Sequence, residues 1–190
     1  RKIFYFKLLK SLLAKADKIL DVGCGIGEFV QVAQNAGKSC VGVDVNLKSL
    51  TEAKQRSTFA DYIHASMFYL PFRNHSFDAI FFSHVIEHVP ISEAIPLLRT
   101  FREIGKLLVI ITPSYHRGFW TPGHIVAYTP KVLEKVMKLA GYETLLVTYD
   151  KAFMLNVHAN LFPSTLVKIL NNIPIMRVKV NLLAIGISAS

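Results

Sequence analysis

Three features of the 190-residue sequence predict one doubly wound α/β domain with a mostly parallel sheet. Short apolar runs alternate with amphipathic stretches from end to end, the pattern of strands joined by helical crossovers. The stretch "DVGCGIGEF" stands between the first apolar run and the next amphipathic segment, where a strand should hand over to a helix. Apolar residues make up 52% and charged residues 18%, enough apolar surface to cover both faces of a sheet in one domain spanning residues 1–190.

The opening stretch from Phe4 to Ala16 sets Leu8, Leu9, Leu12 and Leu13 on one side at helical spacing. Lys18 to Val22 reads as a short buried strand, and Glu28 to Ala36 as a helix ended by Gly37. Ser39 to Val43 is the second strand, and Leu47 to Ser57 a helix carrying Leu50 and Ala53. Tyr62 to Ala65 is expected as the third strand and Phe77 to Phe82 as the fourth. Ile91 to Ile104 is then a helix, and Lys106 to Ile111 a fifth strand closed by Thr112-Pro113. Thr129 suits an N-cap, with Pro130 at the first helical position and Gly141 closing the helix. Tyr142 to Tyr149 and Val178 to Ser188 are late strands, the last beside the one before it, with a helix from Ser164 to Asn171 between them.

The balance of charge is basic, 22 Lys and Arg against 13 Asp and Glu, a formal +9. Nucleic acid, anionic lipid and acidic substrates all suit such a surface, but the basic residues are scattered and do not interleave with aromatics. Two cysteines, Cys24 and Cys40, make neither a disulfide framework nor a zinc site, and they point to a reducing, cytoplasmic setting. No apolar run reaches the ~18 residues that span a bilayer. The chain opens on Arg1 rather than Met, which leaves room for a preceding segment.

Gly23, Gly25 and Gly27 follow the first strand, where ligands of such sheets bind. A dinucleotide fingerprint needs a third glycine where Glu28 stands, and no P-loop is present. The pattern is GxGxG preceded by Asp21, which suits a ligand without phosphates. Asp44 ends the second strand about 20 residues later, where an acid takes both hydroxyls of a ribose. An adenosine-type ligand with a cationic group near Asp21 meets both demands, and S-adenosylmethionine is such a ligand.

With "LDVGCGIGEF", "VGVDVN", "LPFRNHSFDAIFFSHVIEHV" and "AGYE" in order, the sequence resembles the class I S-adenosylmethionine-dependent methyltransferases. It looks most like their small-molecule, quinone-biosynthesis-like group, from about Lys18 to Gly141. The resemblance implies a Rossmann-like, seven-stranded, mostly parallel sheet with helices on both faces and the last strand antiparallel. It implies that Asp21 helps hold the methionine amino group, that Gly23, Gly25 and the Cys24 and Ile26 backbone between them line the methionine and ribose, and that Gly27 belongs to the same cofactor-binding set. Asp44 would take the ribose hydroxyls and Val45 cover one adenine face. Ser66 stands where that family usually has an acid, a weaker partner for the adenine amino group, with Met67 next to it. Ser83 and His84 are expected near the reactive sulfonium.

Methyl transfer from a sulfonium is an in-line displacement, so alignment supplies much of the rate and a base is needed only for an acceptor that must lose a proton. His84 and His124 are the candidate catalytic residues, each with a packing or loop-organising role as its alternative. His88, in "EHV", suits a structural role, bonding backbone and fixing the loop. Asp78 suits a strand-end role. No metal site is expected. "FSHV" stands where enzymes acting on exocyclic amines carry an NPPY-type motif. Tyr115, Phe119 and Trp120 suit an apolar lid, with Arg117 placed to meet an acceptor anion.

The expected partner is a small-molecule or lipid-like acceptor. An RNA or protein methyltransferase using the basic surface, and a non-catalytic S-adenosylmethionine-binding protein, are the alternatives. Asn160 to Val180 mixes Leu, Ile and Phe with Lys168, Arg177 and Lys179, and suits either a peripheral membrane contact or packing on the sheet.

Overall fold

A computed structural model describes residues 13–57, 59–113, 122–149 and 181–188. Seven strands form one sheet in the order β3-β2-β1-β4-β5-β7-β6. They are β1 (Lys18–Val22), β2 (Ser39–Asp44), β3 (Asp61–His64), β4 (Phe77–Ser83), β5 (Gly105–Pro113), β6 (Tyr142–Tyr149) and β7 (Asn181–Ser188). The helices are α1 (Glu28–Asn35), α2 (Leu47–Arg56), α3 (Ile91–Ile104) and α4 (Pro130–Leu139). The first five strands pair in parallel, and β7 runs antiparallel between β5 and β6. The expected architecture is present, including the antiparallel last strand.

Alternation along buried strands divides the core between the two faces. In β4, Ile80 and Phe82 join Leu98, Phe101, Leu133 and Met137 of α3 and α4. Ala79 and Phe81 turn the other way, toward Phe29, Val30 and Ala33 of α1. There the Phe29 and Phe81 rings stack with centroids 3.7 Å apart. A continuous apolar run such as "AIFF" is what a strand covered on both faces requires.

Local signals set the helix ends. Asn46 Oδ1 accepts from Ser49 N at 3.2 Å at the start of α2, and Thr129 Oγ1 from Val132 N at 3.3 Å ahead of α4. Gly141, at φ 91°, turns the chain out of α4 into β6. β3 starts one residue earlier than expected, and Ser83 closes β4 instead of following it. Of the expected opening helix, only Leu13–Lys15 is described, as a single 3-10 turn. The expected helix from Ser164 to Asn171, the Asn160 to Val180 segment and the aromatics Tyr115, Phe119 and Trp120 lie outside the described residues. Among the described residues, no helix is long and apolar enough to cross a membrane.

Asp78 has the strand-end role expected of it. Its Oδ2 accepts from the backbone N–H of both Asp17 and Lys18 at 2.9 Å, pinning the entry of β1 to β4. The bond from Lys18 holds the carboxyl below its ordinary range against a smaller opposing effect of burial, helped by the Asp17 bond and the charge of Lys106. A carboxyl lowered on folding stabilises above its unfolded pKa, and that contribution is lost as pH falls through the folded value. Asp78→Asn is therefore expected to lower the melting temperature by a few degrees at pH 7. The difference from wild type should shrink below about pH 4, as followed by circular dichroism.

Candidate functional site

The strand order reverses between β1 and β4, and in sheets of this kind ligands bind at such a reversal, at the carboxyl ends of the strands. The chain leaves β1 through a turn whose dihedrals favour glycine. Gly23, Gly25 and Gly27 have φ of 71°, 56° and 75°. Gly23 N and Cys24 N both donate to Val43 O, at 2.8 and 3.0 Å, which ties the turn to the end of β2. A Cβ on Gly23 would run into the Val85 side chain, and one on Gly27 into the Tyr62 hydroxyl. A Cβ on Gly25 would meet nothing within 4 Å, so this turn faces open space in front and packed side chains elsewhere.

Asp44 locks the turn from β2. Its Oδ2 accepts from Gly25 N at 2.8 Å and its Oδ1 from Asn46 N at 2.8 Å. Each carboxylate oxygen keeps a second acceptor position, in a side chain that is only partly buried. Val45 follows, 71% exposed, with its carbonyl 2.9 Å from His64 Nε2. Ser66 Oγ accepts from Phe68 N at 3.3 Å, which shapes the loop after β3, and Met67 packs partly against the core.

Behind the turn, Asp21 is fully buried. It lies on the sheet face that also carries Cys24 and Tyr62. Burial, the two cysteines and Asp21 together push the Tyr62 hydroxyl up to about 12. Tyr62 therefore stays a neutral phenol under the glycines. Cys24 and Cys40 are buried thiols that are not joined in a disulfide.

The end of β4 builds a second cluster. Ser83 is buried, and His84 follows at φ 57°, its N–H donating to Ile111 O at 2.7 Å. The turn aims His84 Nδ1 at Glu87 Oε1, 3.6 Å away. Glu87 is 1% exposed, and its Oε2 accepts from the buried Thr112 hydroxyl at 2.9 Å. His124 Nε2 approaches the same Oε1 to 3.9 Å from the segment before α4. His88 Nδ1 stands 2.8 Å from Gly123 O, the backbone bond expected of it. The His88 and His124 rings meet edge to face, centroids 4.9 Å apart. Burial and the charge of Glu87 raise the pKa of the Tyr128 hydroxyl.

The candidates therefore form two groups, both at the carboxyl ends of the parallel strands or in the segments that follow them. Asp21, Gly23, Cys24, Gly25, Gly27 and Asp44 stand at the ends of β1 and β2, with Val45, Ser66 and Met67 alongside. Ser83, His84 and His124 stand at the end of β4 and before α4. Four contributors escaped the sequence reading: Tyr62 under the turn, Glu87 at the centre of the histidines, and Thr112 and Tyr128 beside it. The acid in "VIEHV" was a usable signal for Glu87, because an apolar stretch tolerates a carboxylate only where partners await it.

Residues 20–109 match the model of a methyltransferase domain. An uncharacterised protein of Methanocaldococcus jannaschii is 31% identical over 106 residues, covering 55% of this chain and 45% of that protein. The demethylmenaquinone methyltransferase of Renibacterium salmoninarum is 33% identical over 94 residues, 48% of this chain and 40% of the enzyme. The chain thus spans less than half the length of these curated relatives. A crystal structure of an S-adenosylmethionine-dependent methyltransferase from Archaeoglobus fulgidus has the same fold, with TM-score 0.70 and 18% identity over 99% of this chain and 95% of that one.

Proposed function

We propose, on the premise that residues 20–109 are a methyltransferase domain of the S-adenosylmethionine-dependent kind, that the protein transfers a methyl group from S-adenosylmethionine to a small-molecule or lipid-like acceptor. The observation that carries this reading is the Asp44 carboxylate bonded to Gly25 N beside open space. A carboxylate held rigidly by two backbone N–H groups, with acceptor positions to spare, fits the two hydroxyls of a ribose. The small-molecule part draws on the demethylmenaquinone methyltransferase among the relatives.

Bound there, S-adenosylmethionine supplies a methyl group on a positively charged sulfur, already activated for in-line displacement. The residues of this chain supply position. Asp44 would hold the ribose, Val45 would cover one adenine face, and Ser66 and Met67 would border the adenine edge. Gly23, Cys24, Gly25 and Gly27 would present backbone to the methionine part, and Asp21 would balance its ammonium group. Ser83 would border the transfer point. His84, with Nδ1 toward Glu87, would take a proton from an acceptor hydroxyl or acidic carbon at Nε2, which is buried and makes no hydrogen bond among the described residues, and His124 shares the same carboxylate.

Calorimetric titration with S-adenosylmethionine and S-adenosylhomocysteine is the direct test, followed by a screen of quinol, phenol and lipid acceptors. Saturable binding of both nucleosides is expected, and a folded protein that binds neither refutes the reading. His84→Ala is expected to lower kcat about 100-fold or more on an acceptor that must lose a proton, with S-adenosylmethionine affinity nearly unchanged. An unchanged kcat would remove His84 as the base.

A further inference from the structure

Glu87 is in an unusual position for a carboxylate. Its side chain is 2% exposed, and among the described residues Oε1 makes no hydrogen bond although Oε2 is held by Thr112. Among the described residues, its ion-pair partners are two histidines and not Lys or Arg. A buried carboxylate oxygen is costly unless a cation or donor meets it. Beside it, one donor atom each from Glu87, His88 and His124 lies within 4.8 Å of the other two.

We propose that Glu87, His88 and His124 bind one divalent first-row transition ion, Zn2+ being the simplest case. Two imidazoles and one carboxylate match the borderline character of such ions and not the all-oxygen shells of Mg2+ or Ca2+. Donors of one tetrahedral ion at ~2.0–2.1 Å stand about 3.3 Å apart, so the 3.9 Å between His124 Nε2 and Glu87 Oε1 closes with small side-chain rotations. Surrounding contacts already orient the set. Thr112 fixes the far carboxylate oxygen, and the Gly123 carbonyl holds the His88 ring beside His124. Carbonyl and hydroxyl partners of this kind are what metal ligands use to fix ring and carboxylate orientation.

The cluster joins three separated pieces of chain: the turn after β4, the end of β5 and the segment before α4. His88 is exposed at its rim, so an ion has a route in and keeps positions for water or an acceptor oxygen. Glu87 and His124 also figure in the proposed methyl transfer, but ion binding by this set does not require that reaction and is measured without it.

The test uses the full chain, free of any affinity tag and stripped with a chelator, without S-adenosylmethionine or acceptor. Zn2+ is titrated by calorimetry and Co2+ by its visible d–d absorption. One equivalent of saturable binding is expected, with a Co2+ spectrum of mixed nitrogen and oxygen coordination. His88→Ala and His124→Ala should each weaken binding at least about tenfold, and Glu87→Gln similarly. His75→Ala, at an exposed histidine outside the cluster, should leave it unchanged. His88→Ala alters an exposed side chain, so it stays informative if the buried Glu87 variant fails to fold. No saturable binding by folded wild type, or equal affinity in the His88→Ala/His124→Ala double variant, would overturn the site.

Discussion

Asp44→Ala is expected to weaken S-adenosylmethionine binding about 100-fold, close to 3 kcal/mol, without unfolding the domain. The carboxylate has two tasks, and the variant loses both. Its Oδ2 bond to Gly25 N holds the glycine turn in place, and its Oδ1 bond to Asn46 N shapes the entry to α2. The outward acceptor positions would meet the ribose, where a bond to a charged acceptor contributes about 1.5–3 kcal/mol. Asp44→Asn separates the tasks. One amide oxygen still accepts, but the amide nitrogen faces a backbone N–H, so a loss of about tenfold is expected. Calorimetric titration of the three proteins decides the matter. Equal affinities would mean that the ribose is held elsewhere.

Gly23→Ala should be nearly as damaging by a different route. At φ 71° a side chain costs about 1–2 kcal/mol, and here the new Cβ also collides with Val85. A total loss of about 3 kcal/mol of stability is expected, with cofactor binding reduced in step because the turn must shift. Only part of that loss is steric. With Val85→Ala added, the nearest remaining Val85 atom is its Cβ at 3.4 Å, an ordinary contact. The double variant should therefore recover about 1–2 kcal/mol, a coupling within the range of touching residues. Urea unfolding of the wild type, both singles and the double measures it. Strict additivity would mean that the backbone and not Val85 sets the cost.

The two groups of candidate residues are unequally legible in the sequence. The glycine turn announces itself because the requirement is local. Positive φ favours glycine, and three glycines at alternate positions after an apolar strand leave few readings. Asp44 is legible for a similar reason, at the end of the next strand in a parallel sheet. Strands and helices were also readable in order, since a buried strand and an amphipathic helix differ in apolar period. Their ends shifted by a residue or so, as with Asp61 opening β3, because hydrogen bonding with a neighbour settles a strand's last residues.

Glu87 shows where such reading stops. Within "VIEHV" an acid in an apolar stretch signals that partners await it, but not which ones. Its importance comes from Thr112, 25 residues on, and from His124 in the segment ahead of α4. Tyr62 is similar. In the sequence it only opens the expected third strand, and the packing of β3 beside β2 is what puts its hydroxyl under Gly27. The position of β7 between β5 and β6 belongs with these, since two late strands in sequence do not reveal which one takes the inner place.

By itself, then, the sequence determined the α/β architecture, the glycine turn and Asp44, which are written in local dihedral limits and in apolar periodicity. The tertiary structure alone decided that a buried carboxylate gathers three histidines, that a phenol supports the turn and that the last strand goes inside. These are contacts between residues far apart in the chain, set by which strand ends the sheet brings together, and no local preference encodes them.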